Sequence, residues 1–506
     1  MKTDVLIIGA GPTGLALACQ LIRYGVEFVI IDKKETTTPY SKAVGVQART
    51  LEIYEQMGLA DELVALGTIA ERTRLFAGGK LRGEAQFSEL GKGLSPYPFV
   101  LIVEQGKHEK LLYDHIRSHG HDVQWQAELL TFEQAEHEVN AEIRDAHGGA
   151  RTITAKYMVG GDGAKSPVRR ALGLEFSGST FDRMFYVADV DIDWEFGHDA
   201  LQVFLMKNSL LAFFPMTGEK QYRIVGTFPE GFAKDEGEVL YDEIEEQIKT
   251  DSEVELDITK VNWFSTYRVH TRHVDKFSVG RVFLAGDSAH IHSPAGGQGM
   301  NTGIQDGYNL AWKLSFVLRG DASDILLSTY NEERLPIARL LTRTTDRFFG
   351  LVADPSPLLA FARIWVFPYI ASFLFSLEVV KRFVFPRISQ IMINYRGRAL
   401  SRESGKFSVH AGDRMPYFLI DGESVYDGMR DAKFHLIAFG DEVPEVSIPD
   451  EMLDRGEIPI TPEVIRIFGT DQPFLLLVRP DNYIGLISND MSVEMISAYF
   501  EEAVTS

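Results

Sequence analysis

Apolar and polar residues follow different periods along the chain, and the first segment predicts a buried parallel unit. Residues 4–9 and 28–31 are largely apolar, and residues 12–24 between them carry apolar side chains at helical spacing. Two apolar runs on either side of an amphipathic helix predict a βαβ unit. After a loop over 33–45, the pattern predicts a helix that extends to Leu59.

The middle of the chain changes to short alternating runs. A helix is predicted over Lys107–Ser118, and strands are predicted over 123–131, 138–144 and 152–159. From about Phe185 onward, turn residues separate four alternating runs: Val187–Ile192, Leu201–Met206, Leu210–Phe214 and Tyr222–Phe228. Such alternation predicts an antiparallel sheet with one buried face.

The rest of the chain returns to the first pattern and then forms a separate module. The α/β pattern resumes at Arg281, and helices are predicted from Met300 to about Tyr395. After Pro416 we expect another α/β module with four strands: His435–Phe439, Val464–Ile467, Phe474–Val478 and Tyr483–Ile487.

We therefore expect an α/β protein of several domains. One α/β domain with a βαβ unit is formed by 1–180 and 276–345, and 181–275 is an inserted antiparallel β-sheet domain. Residues 346–405 form a helical region, and 406–506 form a C-terminal domain. A chain of 506 residues is too long for one hydrophobic core, which agrees with this division.

The amino-acid composition limits which binding partners and which cellular location we expect. The net charge of −21 disfavours nucleic acid and anionic lipid. Cys19 is the only cysteine, so a disulfide within the chain and a cysteine-based metal site are excluded. We expect no metal and no signal peptide, a reducing cytoplasmic location, and a monomer or homodimer. The apolar stretch 364–377 contains Pro368 and is short for a membrane span, so we expect a buried helix pair, with an interfacial role as the alternative.

A glycine-rich turn follows the first predicted strand. In Gly9-Ala10-Gly11-Pro12-Thr13-Gly14, the first glycine permits a tight turn, and Gly11 lets a pyrophosphate approach the backbone. Gly14 lets the helix pack on the strand, and Asp32, at the end of the second strand, is placed to accept a hydrogen bond from a ribose hydroxyl. This context predicts a dinucleotide site, without separating FAD from NAD.

A second glycine-rich turn lies in residues 281–314. Gly296-Gly297-Gln298-Gly299-Met300-Asn301 leads into an amphipathic helix, whose free N–H groups favour an anionic or electron-rich group. Two further turns, Gly161-Asp162-Gly163 and Gly286-Asp287-Ser288, also follow predicted strands. Alone, each also fits an Asx turn. Together the four turns predict one large cofactor held at several points.

These motifs resemble the three fingerprints of the FAD-dependent aromatic hydroxylases, the single-component flavoprotein monooxygenases similar to para-hydroxybenzoate hydroxylase. The specific resemblance covers residues 1–345. It continues more loosely to the end, where Gly412-Asp413-Arg414 and Val478-Arg479-Pro480-Asp481 resemble the thioredoxin-like tail of the longer phenol- and polyketide- or antibiotic-modifying members. The resemblance implies FAD, NADPH or NADH as a transient electron donor, and dioxygen. It also implies that 1–180 and 276–345 form a Rossmann-like FAD-binding domain and that 181–275 is the substrate-binding domain.

The resemblance also implies roles for individual residues. Gly9, Gly11 and Gly14 hold the pyrophosphate, and Asp32 holds the adenosine ribose. Gln105 contacts the ribityl region, Asp287 holds the ribityl chain, and Asp162 belongs to the middle fingerprint. The backbone of Gly299, Met300 and Asn301 faces the isoalloxazine, and Pro294 forms a wall beside it. The remaining residues expected around FAD are Pro12, Thr13, Lys33, Lys42, Leu129 and Gly297.

The sequence departs from the family pattern in four places. Lys42 replaces a common Arg and weakens any bidentate contact there. Ser293 replaces the first of two prolines, and Asp32 is shorter than the frequent Glu. The C-terminal domain has no Cys-x-x-Cys, which excludes thiol redox chemistry and leaves packing or assembly as its expected role.

The expected reaction is hydroxylation of a phenolic or polycyclic aromatic substrate through a flavin hydroperoxide, with backbone groups at Pro294, Gly299 and Met300 around the flavin. His290 and His292 are interpreted as structural, with a proton relay as the minority interpretation. Candidate substrate contacts on the inserted sheet are Val203, Leu205, Phe213, Phe214, Pro215 and Arg223.

Two alternatives remain open. One is a flavin-dependent halogenase, although the chain has no Trp-x-Trp. The other is a silent flavoprotein that binds an aromatic compound, which the intact Gly296–Asn301 loop disfavours.

Overall fold

The computed structural model describes residues 1–39, 43–206, 210–228, 238–292, 297–353 and 378–505, together with 356, 358, 361–362, 365–366 and 370. Of the predicted site residues, Lys42 and Pro294 lie outside these described residues.

The strands are numbered in chain order. They are β1 (Lys2–Ile8), β2 (Phe28–Asp32), β3 (Gly45–Val46), β4 (Thr68–Ala70), β5 (Arg72–Ala77), β6 (Lys80–Gln86), β7 (Val100–Ile102), β8 (Val123–Trp125), β9 (Glu128–Gln134), β10 (Val139–Arg144), β11 (Ala150–Gly160), β12 (Ser177–Trp194), β13 (Ala200–Leu205), β14 (Leu210–Pro215), β15 (Gln221–Thr227), β16 (Leu256–His273), β17 (Ser278–Val279), β18 (Val282–Leu284), β19 (His290–Ile291), β20 (Arg402–Ser404), β21 (Leu419–Ile420), β22 (Glu423–Ser424), β23 (Phe434–Phe439), β24 (Leu453–Ile458), β25 (Phe474–Val478) and β26 (Ile484–Ser488).

The helices are numbered in the same way. They are α1 (Pro12–Arg23), α2 (Ala48–Glu55), α3 (Ala60–Ala65), α4 (Phe87–Gly91), α5 (Gln105–Ser118), α6 (Pro167–Ala171), α7 (Asp242–Ser252), α8 (Gln298–Arg319), α9 (Ile325–Ala353), α10 (Glu378–Ile388), α11 (Pro462–Phe468) and α12 (Val493–Phe500).

A parallel sheet forms the centre of the first domain, in the order β18-β11-β1-β2-β8. The predicted βαβ unit is confirmed, because β1 and β2 are parallel neighbours joined by α1. Ile8 pairs with Gly160 and with Ile31, and Gly160 pairs with Leu284. The carboxyl ends of these strands therefore meet at one edge, which is where ligands bind in open α/β sheets.

Helices α1 and α8 pack against each other closely at this edge. A Cβ on Gly286 or on Gly303 would overlap with the side-chain oxygen of Thr13, and a Cβ on Gly307 would lie 3.2 Å from Leu17 Cβ. Glycine at these positions lets the starts of the two helices approach the same sheet edge. The Thr13 side chain, on α1, therefore packs directly against Gly286 and against Gly303 of α8.

The second sheet has the order β19-β16-β12-β15-β14-β13-β5-β6. The predicted antiparallel runs are present as strands β12 to β15. Strands β5 and β6 come from earlier in the chain, before the expected insertion at residue 181, and β5 pairs in parallel with β13. One face of this sheet packs on α7 in an apolar cluster that contains Phe204, Phe213 and Ile244.

The C-terminal sheet has the order β20-β26-β25-β23-β24, with β23 parallel to β24 and antiparallel to β25. The strand predicted over Val464–Ile467 is wrong, because these residues lie in α11. Thr461 caps that helix by accepting a hydrogen bond from the Val464 N–H at 3.3 Å, and Pro462 occupies its first turn. A short apolar run does not separate strand from helix, and the cap signal was the information needed.

Within the part of the chain that the structure describes, no helix is both long enough and apolar enough to span a membrane. The apolar segment 364–377, predicted as a buried helix pair, lies largely outside the described residues.

Candidate cofactor site

The first glycine turn leaves an open surface above the start of α1. Gly9 has φ +106°, and a Cβ there would overlap with the carbonyl oxygen of Gly161. A Cβ on Gly14 would overlap with the carbonyl oxygen of Gly9, whereas a Cβ on Gly11 would have no heavy atom within 4 Å. Helix α1 has no side-chain cap and no acidic residue in its first turn. Its free N–H groups are thus available to an anion that approaches Gly11.

Asp32 lies at the end of β2 and stabilises this turn. Its Oδ2 accepts a hydrogen bond from the Ala10 N–H at 2.7 Å, and its Oδ1 accepts one from the Lys34 N–H at 2.8 Å. Lys34 Nζ lies 3.8 Å from both Asp32 and Glu109, while the predicted Lys33 is exposed. The structure therefore places Lys34 at the site, which the sequence interpretation missed. Leu129 is buried in the apolar core of this domain.

The start of α5 contributes Gln105 to the same edge. Gln105 Nε2 donates to Glu109 Oε1 at 2.8 Å, and its Oε1 accepts from the Ala43 N–H at 3.3 Å. Glu109 is buried, and its other oxygen accepts from the Thr38 N–H at 2.7 Å. This network links α5 to the loop after β2, and the contact of Gln105 with a cofactor stays a prediction.

The two aspartate turns lie at the ends of β11 and β18. Asp162 Oδ2 accepts from the Val168 N–H at 3.1 Å, and its Oδ1 is buried with no hydrogen-bond partner. Burial raises the pKa of Asp162. Asp287 is exposed on a single turn of 3₁₀ helix, Gly286–Ser288. An exposed carboxylate on an anchored turn suits a contact with ligand hydroxyl groups.

Helix α8 begins with free backbone groups at the same edge. Gly297 precedes it with φ +61°, and the helix has no side-chain cap and no acidic residue in its first turn. Among the described residues, which do not include 293–296, the nearest atom to a Cβ placed on Gly299 would be His292 Cδ2, at 4.0 Å. The described residues therefore leave space beside Gly299, which would suit a flat ring at a helix N-terminus.

Asn301 holds this helix start in place. Its Nδ2 donates to the carbonyl oxygens of Gly45 and Gly297, at 2.9 and 2.8 Å. Its Oδ1 accepts from the Gln47 N–H at 3.0 Å and from the Thr50 hydroxyl at 2.7 Å. The buried Asn301 side chain thus fixes the loop and leaves its backbone N–H groups for a ligand.

A chain of hydrogen-bonded polar groups links the end of β19 to α8 and α9. His292 Nε2 and His290 Nδ1 are 3.0 Å apart, and His290 Nε2 lies 2.6 Å from Asp306 Oδ2. Asp306 also accepts from Arg334 Nε at 2.7 Å and from the Gly286 N–H at 2.9 Å. Burial opposes the charge on Asp306, but Arg334 and His290 outweigh it and hold the pKa of this carboxyl at about 2.

These observations fit FAD. The starts of α1, α5 and α8 have no side-chain cap, and Asp32 and Asp287 follow strands whose carboxyl ends share one sheet edge. Gly11 and Gly299 leave space at two separate points. A single elongated ligand with a pyrophosphate in its middle and a flat ring at one end matches this arrangement.

Side chains alternate between the two faces of the second sheet, so the six predicted substrate contacts do not all lie on the same face. In the strand register Arg223 pairs with Asp189 and with Phe214, so these three share one face. Phe214 contacts the first domain through Val44 and Ile102. By the same alternation Val203 and Leu205 lie on this face, which looks toward the cofactor domain.

Phe213 and Pro215 alternate with Phe214 and therefore lie on the opposite face. Phe213 is fully buried against Trp194 and Phe204, with ring centroids 4.8 and 5.4 Å apart. Because these rings form the core beneath α7, we leave Phe213 and Pro215 out of the proposed substrate pocket.

A bidentate ion pair occupies the cofactor-facing side of the sheet. Arg223 Nε and Nη2 each lie 2.6 Å from an oxygen of Asp189, and the guanidinium lies 5.5 Å from the Trp263 ring centroid. Arg223 is thus already neutralised by Asp189. The sequence interpretation missed Asp189 and Trp263, which only the strand register brings to Arg223.

The C-terminal domain joins the cofactor helices through a buried ionic network. Arg479 lies 2.5 Å from Glu333 and 2.6 Å from Asp481, and Lys313 of α8 lies 2.7 Å from Glu333. Asp481 also accepts from the indole N–H of Trp312 at 3.1 Å. All five side chains are buried, so this network ties α8 and α9 to the C-terminal domain.

Comparison with known proteins identifies the family. Residues 2–345 match the sequence profile of the FAD binding domain family. A flavin-dependent monooxygenase of Mycobacteroides abscessus is 33% identical, with 96% of this chain and 97% of the relative covered. The 6-methylpretetramide 4-monooxygenase of Streptomyces rimosus is 34% identical, over 81% of this chain and 72% of the relative.

Among solved structures, CabE, an aromatic hydroxylase from angucycline biosynthesis, matches with a TM-score of 0.79 and 27% identity, with 100% of both chains covered. Both the sequence match and the fold therefore extend through the C-terminal domain. The chain belongs to the FAD-dependent aromatic hydroxylases, a family of flavoprotein monooxygenases.

Proposed function

We propose that this protein is an FAD-dependent monooxygenase that hydroxylates a phenolic or polycyclic aromatic substrate. The observation that carries the proposal is the start of α8, which has no side-chain cap and has space beside Gly299 that no other described residue fills. A helix N-terminus stabilises negative charge, which develops on a flavin ring when it is reduced.

The residues in the proposed contacts with FAD follow the edge of the parallel sheet. The turn at Gly11 and the first N–H groups of α1 bind the pyrophosphate, and Asp32 binds the adenosine ribose. Gln105 and Asp287 bind the ribityl chain, and the backbone at 299–301 faces the isoalloxazine. Bound FAD supplies the activation of dioxygen, with electrons from NADPH or NADH.

The proposed substrate pocket lies between this edge and the facing side of the second sheet. Trp263, Phe214 and Val203 provide apolar surface there, and the Arg223–Asp189 pair provides the polar contact. A broad sheet face suits a flat, extended substrate better than a single small ring. Two of the related enzymes are named for 6-methylpretetramide and for angucycline biosynthesis, which supports a polycyclic aromatic substrate.

We also propose that the C-terminal domain is thioredoxin-like and structural. Strands β26-β25-β23-β24 have the order and directions of a thioredoxin-like sheet, with α11 and α12 in the corresponding places. The only cysteine, Cys19, lies outside this domain, so the domain has no thiol redox chemistry. We infer that the domain instead holds α8 and α9 in place through the ionic network.

The test uses the purified protein and a panel of phenols and polycyclic aromatic compounds. We expect a yellow protein that releases FAD on denaturation, and NADPH or NADH oxidation that at least one polycyclic compound stimulates. Asp287→Ala provides a site control, because loss of one charge-assisted hydrogen bond weakens FAD binding by about 1.5–3 kcal/mol. A colourless protein that takes up no FAD would contradict the proposal.

A further inference from the structure

Arg334, on α9, is a fully buried arginine whose three side-chain nitrogens bind three different acceptors. Its Nε donates to Asp306 Oδ1 at 2.7 Å, its Nη2 to the Thr302 carbonyl oxygen at 3.1 Å, and its Nη1 to the Tyr395 hydroxyl at 3.0 Å. Asp306 and Thr302 lie on α8, and Tyr395 precedes β20. The planar guanidinium therefore fixes the first turns of α8 relative to α9.

Asp306 extends this arrangement to the turn that carries Asp287. Asp306 Oδ2 accepts a hydrogen bond from the Gly286 N–H at 2.9 Å and lies 2.6 Å from His290 Nε2. On the other side of Asp287, Ser288 Oγ donates to a carbonyl oxygen at the end of β11. Asp287 is thus an exposed residue between two anchored neighbours, and one of the anchors is the carboxylate that Arg334 binds.

The stability of the fold is a weak reason for this buried ion pair. Buried ion pairs often contribute no more to stability than well-packed apolar side chains of similar volume. An apolar side chain in place of Asp306, however, would leave the buried Gly286 N–H without its acceptor. The Arg334–Asp306 pair is therefore suited to fixing the position of this turn.

We propose that Arg334 is a positioning residue that acts through Asp306 and holds Asp287 at the distance from the start of α8 that FAD requires. This inference rests on the proposed function, in which Asp287 binds the ribityl chain and the backbone at 299–301 faces the isoalloxazine. The same guanidinium binds the Thr302 carbonyl oxygen, directly after that backbone segment. One side chain thus sets the spacing between two of the proposed FAD contacts.

Arg334→Lys separates geometry from charge. Lysine keeps a cation beside Asp306, but one ammonium group cannot reproduce the fork of bonds to the carboxylate, to Thr302 and to Tyr395. We expect the FAD dissociation constant, measured by calorimetric titration of the apoprotein, to rise about tenfold, the size found for residues that orient metal ligands. Tyr395→Phe removes only one acceptor and should have a smaller effect in the same direction. An unchanged constant in both variants would overturn the proposal.

A double-mutant cycle with Asp287→Ala shows whether Arg334 acts through this turn. Once the Asp287 carboxylate is absent, a shifted turn costs no hydrogen bond to FAD. We therefore expect the tenfold effect of Arg334→Lys to fall to about threefold or less in the Asp287→Ala background, a coupling typical of linked residues. An equal effect in both backgrounds would mean that Arg334 supports the fold in general, and would overturn the proposal.

Glu333→Gln is the matched control. Glu333 precedes Arg334 on α9 and is equally buried, but its ionic partners are Arg479 and Lys313. We expect Glu333→Gln to destabilise the apoprotein and to show no coupling to Asp287→Ala in FAD binding. Coupling as strong as that of Arg334→Lys would contradict a specific role for Arg334.

Hydrogen exchange tests the contact in the apoprotein, without FAD. The Gly286 N–H is protected there by its bond to Asp306. We expect the amides of 285–289 to exchange faster, relative to those of β1, in Arg334→Lys than in the unmodified protein or in Glu333→Gln. Equal exchange in all three proteins would overturn the proposal. Failure of the unmodified protein to bind FAD would instead contradict the proposed function, and the exchange result would still decide whether Arg334 holds the turn.

Discussion

Gly11→Ala separates cofactor binding from folding at the first glycine turn. Gly11 has φ −86° and ψ −176°, an extended conformation that alanine adopts without strain. Apart from its two chain neighbours, no described residue would have a heavy atom within 4 Å of the added methyl group. We therefore expect the apoprotein to keep its stability or to gain up to about 1 kcal/mol, because alanine restricts the unfolded chain.

The same methyl group occupies the space through which a pyrophosphate reaches the N–H groups of α1. Displacing the phosphates removes one or two charge-assisted hydrogen bonds, each worth about 1.5–3 kcal/mol. We expect a loss of about 3 kcal/mol in FAD binding, which is about a hundredfold in the dissociation constant.

Gly14→Ala is the matched control three residues later. Its methyl group would overlap with the carbonyl oxygen of Gly9, which is backbone and cannot move aside. We expect its apoprotein to lose about 1–3 kcal/mol of stability. Urea unfolding of the apoproteins and calorimetric FAD titration measure both quantities. If Gly11→Ala binds FAD as tightly as the unmodified protein, the assignment of the pyrophosphate to this turn is refuted.

Three further predictions concern other parts of the molecule. Burial lowers the pKa of His108 to about 4, so the free energy of unfolding falls as the pH drops from about 6.5 toward 4. Urea unfolding at about pH 7.5 and about pH 4.5 measures this loss, and His108→Gln should reduce it by about 2–3 kcal/mol. Glu333→Gln leaves Arg479 and Lys313 without their shared buried anion and should cost about 3–5 kcal/mol by the same assay. The Gly299→Val protein should fold but bind less FAD, or should bind FAD that is reduced by the coenzyme and then releases hydrogen peroxide. Flavin absorbance measures FAD occupancy, and a peroxide assay measures uncoupled turnover. Full FAD occupancy with normal coupling would argue against a flavin beside this residue.

Much of the cofactor domain follows from local patterns. The turns at Gly11, Asp162 and Asp287 each follow an apolar strand, and parallel strands place their carboxyl ends at a common edge. A βαβ pattern together with turn chemistry was therefore sufficient to predict that these residues converge. The contacts of the individual residues with FAD remain predictions.

The remaining features of the fold and of the candidate site depend on pairing between segments that are distant in the sequence. Strands β5 and β6 join the second sheet through the pairing of β5 with β13. The hydrophobic pattern of β5 and β6 does not indicate which strand they pair with. Asp189 meets Arg223 only because β12 and β15 are in register. The position of the Lys34 side chain beside Asp32 depends on the backbone direction after β2. Register and loop direction are set by packing across the fold, which no single segment encodes.

The C-terminal contact was also invisible in the sequence. The sequence identifies Arg479 and Asp481 only as part of a segment that resembles the C-terminal tail of the longer family members, and the structure shows that both are fully buried against Glu333 and Trp312. Buried charges are found only where partners neutralise them, and these partners lie in distant helices.

Incubation with labelled dioxygen tests the central claim most directly. The FAD-loaded protein, NADPH or NADH, and the aromatic compound that most stimulates coenzyme oxidation are combined, and the product is analysed by mass spectrometry. Monooxygenation predicts one labelled oxygen atom in each product molecule, with the second oxygen atom released as water. Coenzyme oxidation that yields only hydrogen peroxide, with no label in any aromatic compound of the panel, would contradict the account.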